Sequence, residues 1–399
     1  MFKSVVSLNI AKCDRESSLK TMKKKTALML SGGGARGAYE AGVLRAIAEM
    51  GKFKSCPFDI ISGVSAGAIN GMYLAAEAED FELATKKLWA MWEAIRVEDV
   101  FKSDSLALFK TGTNWLMNLS FGQWKGGGST THLLDTAPLF DFLKARIQPE
   151  GIARSIQNGH LKGISLSATD YYSGKLVTFY DGEEAIKPWD EISSIGVRTT
   201  LTIRHIMASA AIPIFFPPIR LDHTEYGDGS IGLRSPLSDA IHLGADQILV
   251  IGLQYSDKKT SSPKEKHGPL TLGNIIGTLL NSLFLNSLDS DIGRLESTNL
   301  AFSKLTLSER KAHKGRLREI PALVIQPSED LGSLDTEQFS RLPFPLRYML
   351  RGLGVSPQKG WELLSYLAFE KGYTGALLKL GYQDAMKMEE KIMELVGRA

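Results

Sequence analysis

The chain has 399 residues, enough to bury a large core without disulfides or structural metal, and its two cysteines, Cys13 and Cys56, form no C-x-x-C pair or ligand cluster. With 43% hydrophobic and 23% charged residues it is too apolar for a disordered chain. The 47 basic and 44 acidic residues leave a formal charge of +3, too little to argue a nucleic-acid partner.

The apolar stretch Val5–Ala11 is broken by Ser7 and Asn9 and runs into Asp14, Arg15 and Glu16 with no small-residue cleavage site, which makes a poor signal peptide. Residues 1–23 read as an N-terminal extension. Thr26–Ser31 is a short apolar run of the kind that makes a buried strand, Gly32-Gly-Gly-Ala-Arg-Gly37 follows, and Ala38 to Gly51 has helical spacing. The pattern then repeats with a strand at Phe58–Ser62, the turn Gly63-Val-Ser-Ala-Gly67 and an alanine-rich helix from Ala68 to Ala78. Strand–loop–helix alternation predicts an α/β fold with a mostly parallel sheet covered on both faces.

Residues 97–131, with Trp115, Trp124 and Gly126–Gly128, read as an insertion or cap, or as an ordinary structural loop. Ile164–Ala168 and Lys175–Tyr180 flank the turn Asp170-Tyr-Tyr-Ser-Gly174 and predict a hairpin. A helix at Ile203–Ala211, stopped by Pro213, and a Val/Ile-rich strand at Gln247–Leu253 close the α/β core, giving a domain from 24 to 256. Ser256–Pro269 is linker-like. Residues 257–399 read as a helical C-terminal extension, with helical patterns at Leu272–Leu288, Lys359–Leu367 and Tyr382–Val396. The uncharged run Pro269–Leu288 is too rich in Asn, Ser and Thr to span a bilayer. Its residues Leu272, Ile275, Ile276, Leu279, Leu280, Leu283 and Phe284 form one apolar face, for the core or for a membrane surface.

Ser65 carries the sharpest chemical signal. Acyl transfer by serine needs a hydroxyl lifted clear of the sheet on a strained strand-to-helix turn, with Gly63 and Gly67 giving the backbone room. The alternative is a plain helix N-cap serine. The loop Gly32-Gly-Gly34-Ala-Arg-Gly37 also satisfies a dinucleotide pattern, but the acidic residue expected near the end of the next strand is missing. If both turns share the carboxyl edge of a parallel sheet, the amides of the first loop face Ser65 as an oxyanion hole. Arg36 either orders that loop, attracts an anion, or is a solvated helix-start residue. For a base the chain offers seven histidines or a carboxylate shielded from water; Asp228 in Gly227-Asp-Gly229, after the apolar run Pro213–Ile219, is either such a group or a plain turn-former.

Gly32-Gly-Gly-Ala-Arg-Gly37, Gly63-Val-Ser-Ala-Gly67, Ala208-Ser-Ala-Ala-Ile-Pro213 with Phe215-Phe-Pro217, and Asp228-Gly229 occur in the order found in the patatin-like phospholipases. The chain resembles that family from Lys24 to about Leu253, and Gly360–Phe369 and Leu380–Ala385 look like the tail of bacterial members. The resemblance implies a three-layer α/β sandwich and a lipid acyl hydrolase with Ser65 as nucleophile and Asp228 as base. It makes the amides of Gly32, Gly33 and Gly34 oxyanion donors, Gly63 and Gly67 the elbow, and Arg36 and Gly37 support for the loop. No histidine, metal or organic cofactor is implied. Ser230 departs from the Gly or Ala more common after Asp-Gly, and its hydroxyl could add a hydrogen bond to Asp228. The expected partners are a phospholipid or other acyl-ester lipid and a membrane surface, approached peripherally from the cytoplasm. Two alternatives stay open: a Ser–His–Asp esterase using Ser65, Asp228 and His242 on soluble esters, and a silent lipid-binding protein of the same fold.

Overall fold

The computed structural model describes residues 24–103, 132–255, 270–284, 286–312, 318–334, 338–356 and 360–397. The N-terminal extension, most of the 97–131 insertion and the linker before Pro269 lie outside the described residues.

Among the described residues ten strands form one sheet: β1 Thr26–Leu30, β2 Ile60–Val64, β3 Gly163–Asp170, β4 Leu176–Gly182, β5 Trp189–Asp190, β6 Ser194–Arg198, β7 Ile219–Leu221, β8 Thr224–Asp228, β9 Gln247–Ile251 and β10 Ala322–Ile325. The spatial order is β10-β9-β1-β2-β3-β4-β6-β5, with β8 on β3 and β7 on β8. From β10 to β3 every neighbouring pair is parallel. The predicted hairpin is β3 and β4, which are antiparallel.

The pleat sends alternate residues to opposite faces. Leu28 and Leu30 enter a core under the helices Gly37–Gly51 and Ala66–Ala76, while Ala27 and Met29 enter a second core with Leu237, Ala240 and Leu288. That is the expected helix–sheet–helix layering.

The core does not end at Leu253. Ala322–Ile325 adds β10 beside β9 in parallel register, Ala322 opposite Ile248. This four-residue strand is too short for a periodic signal and lies inside the segment read as helical. The helix Lys371–Met386 packs along Gly37–Gly51, with the Tyr382 hydroxyl on Glu49 at 2.6 Å and the Tyr39 hydroxyl on Asp384 at 3.3 Å.

Register places the two chemical motifs together. β4 occupies one edge of β3 along Gly163–Thr169. On the other edge β2 runs to the pair Val64–Ser167, and β8 takes over at the next residue with the pair Asp228–Ala168. The residue after Val64 is Ser65, so β2 and β8, end to end on one edge, bring Ser65 and Asp228 to the same point.

Candidate active site

Ser65 stands between β2 and the helix Ala66–Ala76 with φ 54° and ψ −121°. A non-glycine residue there carries strain of about 1–3 kcal/mol, held only where surroundings enforce it. Two bonds do so: the Ser65 N–H donates to Ser209 Oγ at 2.9 Å, and that hydroxyl donates to the Ser167 carbonyl at 2.7 Å. Gly63 and Gly67 serve close approach rather than a left-handed turn, since a Cβ on Gly63 would lie 2.4 Å from the Gly67 carbonyl oxygen and one on Gly67 2.4 Å from that of Leu30. Ser65 is also the N-cap of an eleven-residue helix, whose dipole favours negative charge at that end.

Asp228 is fully buried. Its Oδ1 accepts the Ser230 N–H at 2.9 Å, which holds the carboxyl plane. Its Oδ2 is buried with no hydrogen-bond partner among the described residues, as is the Ser230 hydroxyl. Burial pushes the carboxyl up to about 6, while the nearby Ser65 hydroxyl and the Ser230 N–H and hydroxyl pull it the other way. No hydrogen bond joins the Ser65 hydroxyl to Oδ2 here, a looseness common in such pairs before substrate binds.

The glycine loop lies against this pair. A Cβ on Gly32 would sit 3.0 Å from the Ser65 Cβ and 2.7 Å from Ser230 Oγ, so only glycine fits. Gly34 has φ +56°, and a Cβ there would meet the Tyr366 carbonyl oxygen at 2.3 Å. The N–H groups of Gly32 and Gly33 donate to nothing among the described residues. Gly37 lets its helix approach Ala66, at 2.7 Å from a would-be Cβ. Arg36 is neither solvated nor turned toward Ser65: it is 3% exposed, gives Nε and Nη2 to Ser365 Oγ at 2.9 and 2.7 Å, and lies 4.3 Å over the Tyr366 ring. It braces the loop against the C-terminal helix Trp361–Leu367.

A narrow apolar cavity leads from Ser65 and Gly34 past Ile69, Trp92, Leu143 and Phe216. Its volume is about 20 Å³, room for about one water, against roughly 300–1,000 Å³ for a typical ligand site. Phe284, at the end of the helix Leu272–Phe284, closes the crest, with a ring carbon 2.9 Å from the would-be Gly32 Cβ. Its ring meets Tyr366 at 5.1 Å, and the Tyr366 hydroxyl bonds Asn281 at 2.7 Å.

The structure does not bring His242 to this site. Its ring stacks on Trp189 at 4.4 Å and its Nε2 meets Glu191 at 3.2 Å, so the Ser65–Asp228–His242 arrangement is not formed. Among the described residues no His, Cys, Asp or Glu group of three or more is arranged to hold a metal. The sequence shows Ser209 without marking a role for it and does not mark Phe284 or Tyr366 as site residues. Ser209 lay within a recognised motif; for Phe284 and Tyr366 nothing local could have signalled the contact.

The molecule is a helix-covered, mostly parallel α/β sheet with a serine on a strand-to-helix turn at its carboxyl edge. Residues 28–241, more than half of the chain, match the family described as patatin-like phospholipase, and the chain belongs to that family. It is 28% identical over 217 residues to the cGAMP-activated phospholipase of Pseudomonas aeruginosa, covering 54% of this chain and 55% of that protein. It is 46% identical over 65 residues to patatin-like phospholipase domain-containing protein 7 of Rattus norvegicus, 16% of this chain and 4% of that one. The chain therefore spans about half the length of the bacterial relative and a small part of the mammalian one. Among solved structures, human GIVD cytosolic phospholipase A2 in complex with methyl gamma-linolenyl fluorophosphonate is similar at 13% identity, covering 94% of this chain and 59% of that one. The TM-score is 0.42, too weak a likeness to carry residue roles. Family membership supports lipid hydrolysis as the class of activity.

Proposed function

We propose that the chain hydrolyses the carboxylic ester of a phospholipid or related acyl lipid through an acyl-Ser65 intermediate, with Asp228 as the only base. The observation that carries this reading is a serine at φ 54° beside a buried carboxyl whose Oδ2 has no hydrogen-bond partner among the described residues. Oδ2 takes the Ser65 proton as Oγ attacks the ester carbonyl, then returns it to the leaving alcohol. In the second half a water gives its proton to Oδ2 as it attacks the acyl carbon, and Oδ2 passes that proton to Ser65 Oγ as the acyl–Oγ bond breaks and the acid leaves. The charge developing on the carbonyl oxygen is met by the Gly32 to Gly34 amides, worth about 2.7–4 kcal/mol per donor in comparable sites. The Ser65 amide is spent on Ser209 and takes no part.

The apolar cavity is the natural seat of the acyl chain, and at about 20 Å³ it must open to take one. The helix Leu272–Phe284 is the element placed to move. Ile276, Leu280 and Phe284 are buried on its inner side, while Leu272, Ile275 and Leu279 are exposed on its outer side. We assign the outer side to a lipid surface, where contact draws Phe284 off the crest. Among the described residues no helix is long and apolar enough to cross a membrane, which fits peripheral contact. On this reading Phe284 and Tyr366 make the segment after 256 part of the catalytic unit rather than an appended one.

The test is covalent labelling by a fluorophosphonate with mass spectrometric site assignment, alongside fatty-acid release from phospholipid and lysophospholipid vesicles. An adduct on Ser65 and acid release lost in Ser65→Ala are expected. A folded protein that binds vesicles yet neither labels nor releases acid is a lipid-binding protein instead.

A further inference from the structure

A second cavity, of about 830 Å³, lies on the opposite face of the sheet from the helices Gly37–Gly51 and Ala66–Ala76. Its walls are the helices Ser238–His242 and Asn286–Ser303, and Leu237, Leu295 and Ile320 give it an apolar floor. Its volume falls within the usual range of small-molecule sites, roughly 300–1,000 Å³.

Charge at its rim is unbalanced. Among the described residues Arg294, Arg310 and Arg318 line it, against the one carboxylate of Asp291. Asp291 is already engaged, accepting the Leu237 N–H at 2.9 Å and Arg294 Nη2 at 3.1 Å. Arg310 gives Nε to the Leu305 carbonyl at 3.0 Å and Nη2 to that of Ser303 at 2.6 Å. Arg318 gives Nη2 to the carbonyls of Ala245 at 2.8 Å and Ile241 at 3.4 Å. Neutral carbonyls thus hold both guanidiniums in place, and neither has a carboxylate partner or uses its Nη1 among the described residues. A structural cap needs only the bonds already made. Two fixed forks with free N–H edges and uncompensated charge beside an apolar floor fit a phosphate, whose several oxygens accept from more than one guanidinium. Phe302, with the Arg310 guanidinium 5.2 Å over its ring, adds an aromatic face beside them.

We propose that this cavity is a second ligand site, separate from Ser65, for a soluble phosphate ester of about nucleotide size. The wall helix Asn286–Ser303 follows the helix that ends in Phe284 after one intervening residue, and the opposite wall at Ser235 and Leu237 follows Asp228 along the chain. An occupant therefore bridges the segments that carry the proposed base and the proposed cover of the other site.

Binding of pyrophosphate and of ADP to the Ser65→Ala protein, followed by titration calorimetry, tests this without any reliance on ester hydrolysis. Saturable binding of both is expected, weakened roughly tenfold or more in Arg310→Gln plus Arg318→Gln and unchanged in Phe284→Ala. Should the double variant not fold, Thr298→Trp, at an exposed lining position, must block ADP while leaving thermal melting intact. Vesicles containing phosphatidic acid form the control arm. No binding of either soluble ligand at millimolar concentration, equal binding in the arginine or tryptophan variants, or a response to the vesicles alone overturns the proposal.

Discussion

The amide of Ser65 and the hydroxyl of Ser209 are hydrogen-bonded at 2.9 Å, and this bond holds the proposed nucleophile in its left-handed conformation. In Ser209→Ala a buried N–H loses its acceptor, at about 1–3 kcal/mol, and Ser65 is free to relax. We expect kcat to fall at least tenfold with KM little changed and a modest drop in melting temperature, with partial recovery in Ser209→Thr. Wild-type kcat in a folded Ser209→Ala protein would remove Ser209 from the argument.

The Asp228 carboxyl, raised to about 6 by burial, gives opposite pH dependences for rate and stability. As a base it must be ionised, so kcat/KM should rise with pH and level off above about 6. Its folded value lies above the ordinary carboxylate value, so folding takes up a proton between the two. The stabilisation is present below the ordinary value and is lost as pH rises through about 6. Asp228→Asn should therefore be nearly inactive yet melt higher than wild type at pH 8, with the gain gone below pH 4. An active Asp228→Asn protein defeats the assignment.

His242 lies by Trp189 and Glu191 rather than by Asp228. His242→Ala should keep most of the esterase rate. A folded but inactive variant would restore the histidine mechanism.

Phe284 is packed on the Gly32 and Ser65 crest. Truncating a buried Phe to Ala commonly costs about 3–5 kcal/mol, so Phe284→Ala should melt lower. It should nonetheless label several-fold faster with a bulky fluorophosphonate in the absence of lipid. Unchanged labelling would mean that the barrier lies elsewhere.

The two sides of the same helix should respond differently to charge. Leu272→Asp plus Leu279→Asp, at exposed positions, should fold normally and lose vesicle binding in a flotation assay, whereas Leu280→Asp, 3% exposed, should not fold. Vesicle binding retained by the outer pair would move the lipid contact to another surface.

The parts legible in the sequence were those whose signal is local. Gly32 to Gly34, the turn around Ser65 and the Asp228 turn are short runs of telling residue types, although most of those glycines answer to the close approach of other segments. The helix Leu272–Phe284 was legible as apolar, but the single face that its spacing suggests is split in the structure, with Ile276, Leu280 and Phe284 buried and Leu272, Ile275 and Leu279 exposed. Its pattern also ran on to Leu288, where the chain starts a second helix at Asn286. Arg36 meeting Ser365, Phe284 covering Gly32, and β10 joining β9 are contacts between distant segments with no periodic or motif signal.

The sharing of one edge of β3 by β2 and β8 has a consequence for synthesis. A growing chain exposes the Ser65 segment long before Thr224–Asp228 exists, and the helices carrying Phe284 and Tyr366 come later still. Nucleophile, base and cover emerge in that order. On the proposed mechanism a nascent chain has no base to set Ser65 to work until β8 has docked against Ala168, so the ribosome and nearby bilayers are spared a half-made hydrolase.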